Sequence, residues 1–471
     1  MLVEASSVLL RLTFAILLVG RWIHSVIASE STGAGGADFA ELAHLHVGLN
    51  VSLYNKADVF DGYLVLCAQR MNGRRIIWDG PRIYHPSGNL YWGTTEWPAR
   101  CMNAQVQTYS VGDGDEQVFT FWYDGFNNPY GVVLDNTYTR IAHIDPVGGE
   151  TDLHEFRITP GRRTALMIVT KVMTLNLTSV GGPEYGQIST SIAKEVDIAT
   201  SSTLWEWPVH EYLNFSSSNM ALRPVDIAPD NIWDFAHLNA IEKDEAGDYL
   251  LSFRHYSMVV KVHGSSKTII WQLGGKDSDF TFNNGSTFTG QHHPQWIPES
   301  NQTEMTVFDN GFDGCGNVSP WGTARGLWLR LDYKEWTVSL VQEFLPPKRR
   351  TAYAEGSVQV LPAAGDRSQG RNVLVSFGTS ATIVEYAPDG TVVFVGHAEQ
   401  VYRAFKYPRS AWSGAGLPEG WSESTPIPAP DDSPPQSIES IDETVSIGVG
   451  VSMVFGTGGG CRIWQALFGK C

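Results

Sequence analysis

The chain has 471 residues, 42% of them hydrophobic and 18% charged, enough to bury a large core. Its 47 glycines and 16 tryptophans favour many short strands and turns over helices. A formal charge of −17 repels phosphate backbones, which argues against nucleic acid as a partner.

The first residues read as a targeting segment. An apolar stretch from Leu12 to Val19 follows Arg11, and Val26 and Ala28 supply small residues for cleavage after about Ala28. Residues 1–28 are therefore expected to be a secretory signal peptide. Arg21 and Trp22 interrupt the exit from the apolar run, and an uncleaved segment would instead anchor the chain in a membrane. Either way the body enters an oxidising compartment, so the expected location is outside the cell or in the lumen of the secretory pathway. Six Asn-X-Ser/Thr sites, at Asn50, Asn176, Asn214, Asn284, Asn301 and Asn317, agree with glycosylation there. The five cysteines form no CxxC pair, which excludes zinc-knuckle and thioredoxin-type motifs. Cys67 with Cys101, and Cys461 with Cys471, are the expected disulfides, leaving Cys315 unpaired.

A loose internal repeat organises the middle of the chain. Gly247-Asp-Tyr-Leu-Leu-Ser-Phe253 and its continuation to Trp271 match Gly370-Arg-Asn-Val-Leu-Val-Ser-Phe377 and its continuation to Phe394. The closing hairpin of this unit recurs at Tyr84–Trp92, Leu134–Ile144, Asp197–Trp207, His263–Leu273, Leu331–Gln342 and Tyr386–Gly396. Intervals of roughly 50–70 residues with β patterning are what propeller blades produce. The prediction is an all-β, six-bladed β-propeller with short four-stranded blades over residues 29–420. Five or seven blades, or a pair of β-sandwiches, are the alternatives that the same pattern leaves open. Residues 421–471 read as a Pro/Ser-rich linker, Ser424–Ser437, and a glycine-laden tail, Thr444–Gly460. That tail is too short and too glycine-broken for a membrane span of about 20 apolar residues.

Polar residues inside otherwise apolar inner-strand sequence are the candidates for chemistry. Four stand out: His154 in Asp152-Leu-His-Glu-Phe156, His237 in Asp234-Phe-Ala-His-Leu-Asn239, Arg254 in Leu250-Leu-Ser-Phe-Arg254, and His292 in Gly290-Gln-His-His-Pro294. His255 and His293 adjoin two of them and, by strand alternation, are expected on the opposite face in structural roles. His44 and His46 form an isolated His-X-His, also read as structural.

These segments resemble the PAPS-independent arylsulfotransferase family, in its fungal branch, from about Gly62 to about Pro408. The densest stretch runs from Asp234 through Arg254-His255, Ile270-Trp-Gln-Leu-Gly-Gly275 and Gln291-His292 to Phe308-Asp-Asn310. Asp152-Leu-His-Glu-Phe156, Ser357-Val-Gln-Val-Leu-Pro362 and Tyr402-Arg-Ala-Phe405 add weaker support. The resemblance implies a propeller that moves a sulfuryl group between phenols through a sulfated histidine, with no metal, cofactor or nucleotide donor. His292 occupies the position of the family's nucleophile, and His154, His237 and Arg254 match its other site residues. Asn239 and Gln291, beside two of these histidines, are expected to bind substrate, and the partners are small phenols and aryl sulfates.

The residue types suit that chemistry on their own terms. Phenol, with a pKa of about 10, is a tolerable leaving group. A neutral imidazole can attack sulfur and hold the group covalently. A guanidinium offers a fork of donors to sulfuryl oxygens, and a second histidine can protonate the departing oxygen. Two competing readings use the same residues. One is a zinc hydrolase or lyase in which His154, His237 and His292 bind the metal. The other is a propeller scaffold repurposed for small-molecule binding or natural-product tailoring. Two departures from the family pattern stand apart from the four candidates: Tyr353-Ala-Glu-Gly356 ahead of Ser357, and the glycine-rich tail.

Overall fold

The computed structural model describes residues 49–412, apart from short stretches of which 223–231 and 364–369 are the longest. The expected signal peptide, His44, His46, the linker, the tail, Cys461 and Cys471 lie outside the described residues. Six small antiparallel sheets form a ring, a six-bladed β-propeller with four or five strands per blade and almost no helix. Among the described residues no helix is long and apolar enough to cross a membrane.

Each of the six repeated hairpins joins the third and fourth strands of one blade, counted outward from the axis. Blade 2 shows the plan: Arg100–Val111 lies innermost, followed by Gly114–Asp124, Pro129–Leu134 and Arg140–Ile144. Blade 3 begins at Glu150–Ile158, blade 4 at Leu238–Lys243, blade 5 at His292–Trp296 and blade 6 at Ser357–Val360. Extra strands widen three blades beyond the expected four. Trp233–Asp234 adds to blade 3, Thr281–Phe282 to blade 5 and Asn50–Tyr54 to blade 6.

Alternation along the strands explains how the ring holds together. In blade 2, Phe119, Phe121 and Tyr123 pack against Val65 and Ile83 of blade 1. Their neighbours Val118 and Trp122 point the other way, onto Phe156 and Met167 of blade 3. Successive strand residues face opposite sides of a sheet, so a blade between two neighbours must be apolar on both faces. That is why Tyr249–Phe253 and Met258–Val262 read as nearly continuous apolar runs.

Both ends of the described chain close the circle. Ala404–Pro408 pairs antiparallel with Gly62–Asn72 and becomes the innermost strand of blade 1. Asn50–Tyr54 pairs with Val392–His397 at the outer edge of blade 6. Cys67 and Cys101 are joined by a disulfide that ties blade 1 to the inner strand of blade 2.

Candidate active site

His292 opens the inner strand of blade 5 and is 1% exposed. Its Nδ1 lies 2.7 Å from Oδ1 of Asn310, whose amide nitrogen donates to the carbonyls of Ala352 and Glu355 at 3.2 and 3.0 Å. An amide fixed in that sense presents oxygen to the ring, so Nδ1 carries the hydrogen and Nε2 the lone pair. The backbone N–H of Glu355 donates to that Nε2 at 3.3 Å. Burial holds the His292 pKa well below the ordinary value, and the charges of Arg254 and His154 add to the effect. The ring is a neutral imidazole at physiological pH.

His154, on the inner strand of blade 3, meets His237 edge to face with ring centroids 4.9 Å apart. Each ring is held by a nearby carboxylate: His154 Nδ1 by Asp152 at 2.5 Å and His237 Nδ1 by Asp234 at 2.6 Å. His237 has a left-handed φ of 54° just before the inner strand of blade 4. The Asp234 side chain stabilises that turn by accepting the His237 amide, and the His237 carbonyl accepts the Arg254 amide. Burial drives the His237 pKa well below its usual value, helped by the charges of His154 and Arg254.

Arg254 follows the second strand of blade 4 as the first residue of a short 3₁₀ turn, Arg254–Tyr256. One terminal nitrogen donates to the Tyr353 carbonyl at 2.5 Å and the other approaches His255 Nε2 at 3.4 Å. Its Nε has no hydrogen-bond partner, and no described carboxylate pairs with it. Gly314, at φ 81°, leaves room for the guanidinium: a Cβ there would sit 2.6 Å from Nη1. A buried cation without a counter-charge is costly, and an anionic ligand would supply one.

The fold thus brings His154 and His237 into ring contact, and the charges of Arg254, His154 and His237 all act on His292. Asn239 and Gln291, expected to bind substrate, use their amide nitrogens within the protein, while Oδ1 of Asn239 and Oε1 of Gln291 have no partner among the described residues. Both are fully buried; Asn239 donates to the Gln291 carbonyl at 2.7 Å, and Gln291 donates to Ser252, Phe253 and Met258. They fix the strand that carries His292.

The expectation for His255 is corrected. The strand ends at Phe253, so alternation does not govern the next residues. His255 instead lies 4.8 Å from the His237 ring, with Nδ1 donating to the Asp234 carbonyl at 2.8 Å. His293 does diverge from His292, across a bulge in which it adopts a φ of 50°. Its ring packs near Phe405 and donates to the Val358 carbonyl.

Several functional partners were not singled out from sequence: Asp152, Asp234, Asn310 and Glu355. The first two were legible, since an aspartate two or three residues before a histidine can reach its Nδ1. Asn310 and Glu355 come from other segments and needed the fold. Burial pushes the Glu355 carboxyl up to about 8, so it is largely uncharged at neutral pH.

The geometry also bears on metal binding. Asp234, His237 and His255 bring one ligand atom each within 4.8 Å of one another. Yet both Nδ1 atoms are engaged by Asp234, and His255 Nε2 faces the Arg254 cation. The expected zinc set of His154, His237 and His292 has Nδ1 engaged by Asp152, Asp234 and Asn310, an arrangement that leaves Nε2 as the ligand atom and does not itself oppose a metal. A dication beside Arg254 would, however, meet repulsion.

No curated protein matches the chain. Solved structures similar to it include the Cps50 β-propeller domain of Myceliophteria thermophila, 10% identical with a TM-score of 0.36. That match covers 76% of this chain and 90% of the other. An auxiliary nutrient binding protein from Bacteroides thetaiotaomicron is 10% identical with a TM-score of 0.36, over 73% and 70% of the two chains. The sequence pattern described as arylsulfotransferase (ASST) matches residues 114–399, a span holding all four candidate residues, and the chain belongs to that family.

Proposed function

We propose that this protein transfers a sulfuryl group from an aryl sulfate to a phenolic acceptor, without a nucleotide donor, through a covalent adduct on His292. The carrying observation is the Asn310 contact at Nδ1, which places the lone pair of a buried neutral imidazole on Nε2, where sulfur would displace the weak 3.3 Å hydrogen bond from the Glu355 N–H. That atom is the one able to attack sulfur. Arg254, lacking a carboxylate partner, neutralises the sulfuryl oxygens in ground and transition states. His154 and His237 handle the proton at the aryl oxygens. Within a chain of net charge −17, this local cluster of Arg254 and imidazoles also draws an anionic donor inward.

The setting we propose is the secretory pathway. The Cys67–Cys101 disulfide supports it, since structural disulfides persist in oxidising compartments. The six sequon asparagines are all exposed, as glycan acceptors must be. The fungal branch remains part of this reading, resting on the motifs quoted above.

Incubation with p-nitrophenyl sulfate and phenol tests the activity. Acceptor-dependent release of p-nitrophenol that survives EDTA and is lost in His292→Ala is expected. Release abolished by EDTA would favour metal-dependent chemistry, and no release with any donor would favour a binding scaffold.

A further inference from the structure

Two loops touch the Arg254 guanidinium, and each carries an aromatic ring. The first joins the second and third strands of blade 5. Its Gly314 backbone packs on the guanidinium, where a Cβ would lie 2.6 Å from Nη1 and 2.9 Å from Nη2. Two residues earlier, the Phe312 carbonyl oxygen lies where a Cβ on Gly290 would come within 2.2 Å of it, so this loop also abuts the turn leading into Gln291 and His292. The second loop leads from blade 5 into the inner strand of blade 6, and its Tyr353 carbonyl accepts from Arg254 at 2.5 Å. The Phe312 and Tyr353 rings meet edge to face with centroids 5.5 Å apart. Tyr353 is 54% exposed, and Val318, bridged to Phe312 through the backbone, is 59% exposed.

We propose that Tyr353 and Phe312 form the wall against which the aryl ring of each substrate lies, which makes Tyr353 a specificity-determining residue that selects aromatic over non-aromatic sulfate esters. This rests on the transfer reading above.

A single exposed aromatic carries little meaning on a protein surface. Here three apolar side chains adjoin one another beside a cation that has no carboxylate partner among the described residues. The cation suits a sulfate monoester anion, and the rings suit a flat apolar body through edge-on or offset contact. An aryl sulfate joins the two parts through one oxygen. Both loops are braced, so the rings stand in a fixed relation to the cation. The buried Asp313 carboxylate accepts the Cys315 and Asn317 amides at 2.8 and 3.0 Å and the Asn317 side chain at 2.5 Å. The Tyr353 amide donates to Thr379 Oγ1 at 2.9 Å, and the Ala354 carbonyl accepts the Thr379 amide at 3.3 Å. A wall already in place spares the ligand the entropy of ordering it.

One wall serves donor and acceptor alike. With sulfur held on His292, the departing and entering aryl oxygens take the same place in turn, so both rings visit the same surface. The arrangement also gives a role to Tyr353–Gly356, the segment that departs from the family pattern. Its geometry makes the side chain separable from the cation: Arg254 is held by the Tyr353 backbone, and a change of side chain leaves that contact in place.

Calorimetric titration of the full chain with two non-cleavable anions tests the wall without turnover. Phenylmethanesulfonate, in which CH2 replaces the ester oxygen, carries the ring and the anion; methanesulfonate carries the anion alone. Tyr353→Ala is expected to weaken binding of the first about tenfold and of the second by less than about twofold, while Tyr353→Phe restores the wild-type affinity. In steady-state assays the same Tyr353→Ala variant should raise KM for p-nitrophenyl sulfate and for phenol together, with kcat nearly unchanged. Equal weakening of both anions would mean that the variant acts through Arg254 and would overturn the proposal. So would unchanged binding of phenylmethanesulfonate, or a wild type that binds neither anion. Ring-dependent binding without p-nitrophenol release from any donor would defeat the transfer reading and leave the wall standing.

Discussion

Asn310 and His292 meet through amide oxygen and ring nitrogen at 2.7 Å, and the amide cannot turn over without losing two carbonyl partners. The consequence is a single tautomer of a buried ring. Asn310→Ala would leave Nδ1 without its acceptor and let the ring protonate or rotate. We expect kcat to fall by roughly 10–100-fold, the cost typical of losing an orienting partner, with KM little changed. Steady-state kinetics alongside a thermal melt would check this. A KM effect alone would place Asn310 in binding instead.

Glu355 connects the same histidine to pH. Its carboxyl sits at about 8 because burial dominates, and the Gln400 amide and Arg100 charge only partly offset it. A raised carboxyl binds its proton more tightly folded than unfolded, so stability is present below the ordinary carboxylate range and falls as pH rises toward 8. Above that, a carboxylate develops on the residue whose backbone N–H meets His292 Nε2, adding negative charge to the segment that holds the ring. Glu355→Gln should therefore remove the loss of activity above about pH 8 and raise the melting temperature at pH 8 more than at pH 5. Parallel pH profiles that keep the same alkaline limb would show the group to be irrelevant.

Much of the architecture was legible because it is local. Each outer hairpin announces itself by a turn between two alternating strands, and all six fall one to a blade. Ring closure was not legible. Ala404–Phe405 pairs with residues more than 300 positions away, and no periodicity reports a strand borrowed from the other end of the chain. The site divides the same way. His154, His237, Arg254 and His292 stand out as polar residues in apolar sequence. His255 was misplaced because a 3₁₀ turn replaced the strand on which alternation depends. Glu355 looked like a departure from the family pattern, and only the fold shows that its backbone holds the His292 ring on one side and Asn310 on the other.

The Cys67–Cys101 bridge joins blades 1 and 2 across a sequence separation of 34. A loop of that length constrains the unfolded chain by about 3–4 kcal/mol in the loop-entropy account. Cys101→Ala should lower stability by an amount of that order, and a reductant should do the same to the wild type under denaturing titration. Since blade 1 also contains the closing strand, the loss is expected in the unfolding midpoint of the whole ring. Identical midpoints with and without reductant would show that the bridge adds nothing.

A buried ion pair links the inner strand of blade 3 to the residue just before the closing strand of blade 1. Arg403 and Glu155, 2% or less exposed, meet with two contacts of 3.1 Å. Arg403 also donates to the Asn239 carbonyl at 2.9 Å, and the Asn239 amide donates to the Gln291 carbonyl, immediately before His292. Removing one partner of a buried pair strands the other charge in low dielectric and costs about 3–5 kcal/mol. Glu155→Ala should therefore destabilise the propeller by that order, measured by denaturant unfolding. The chain of contacts reaching Gln291 adds a second expectation: kcat should fall even where the variant is fully folded, because the strand that aims His292 loses its support. A folded variant with reduced stability and unchanged kcat would show that the ion pair holds the ring together without aiming the histidine.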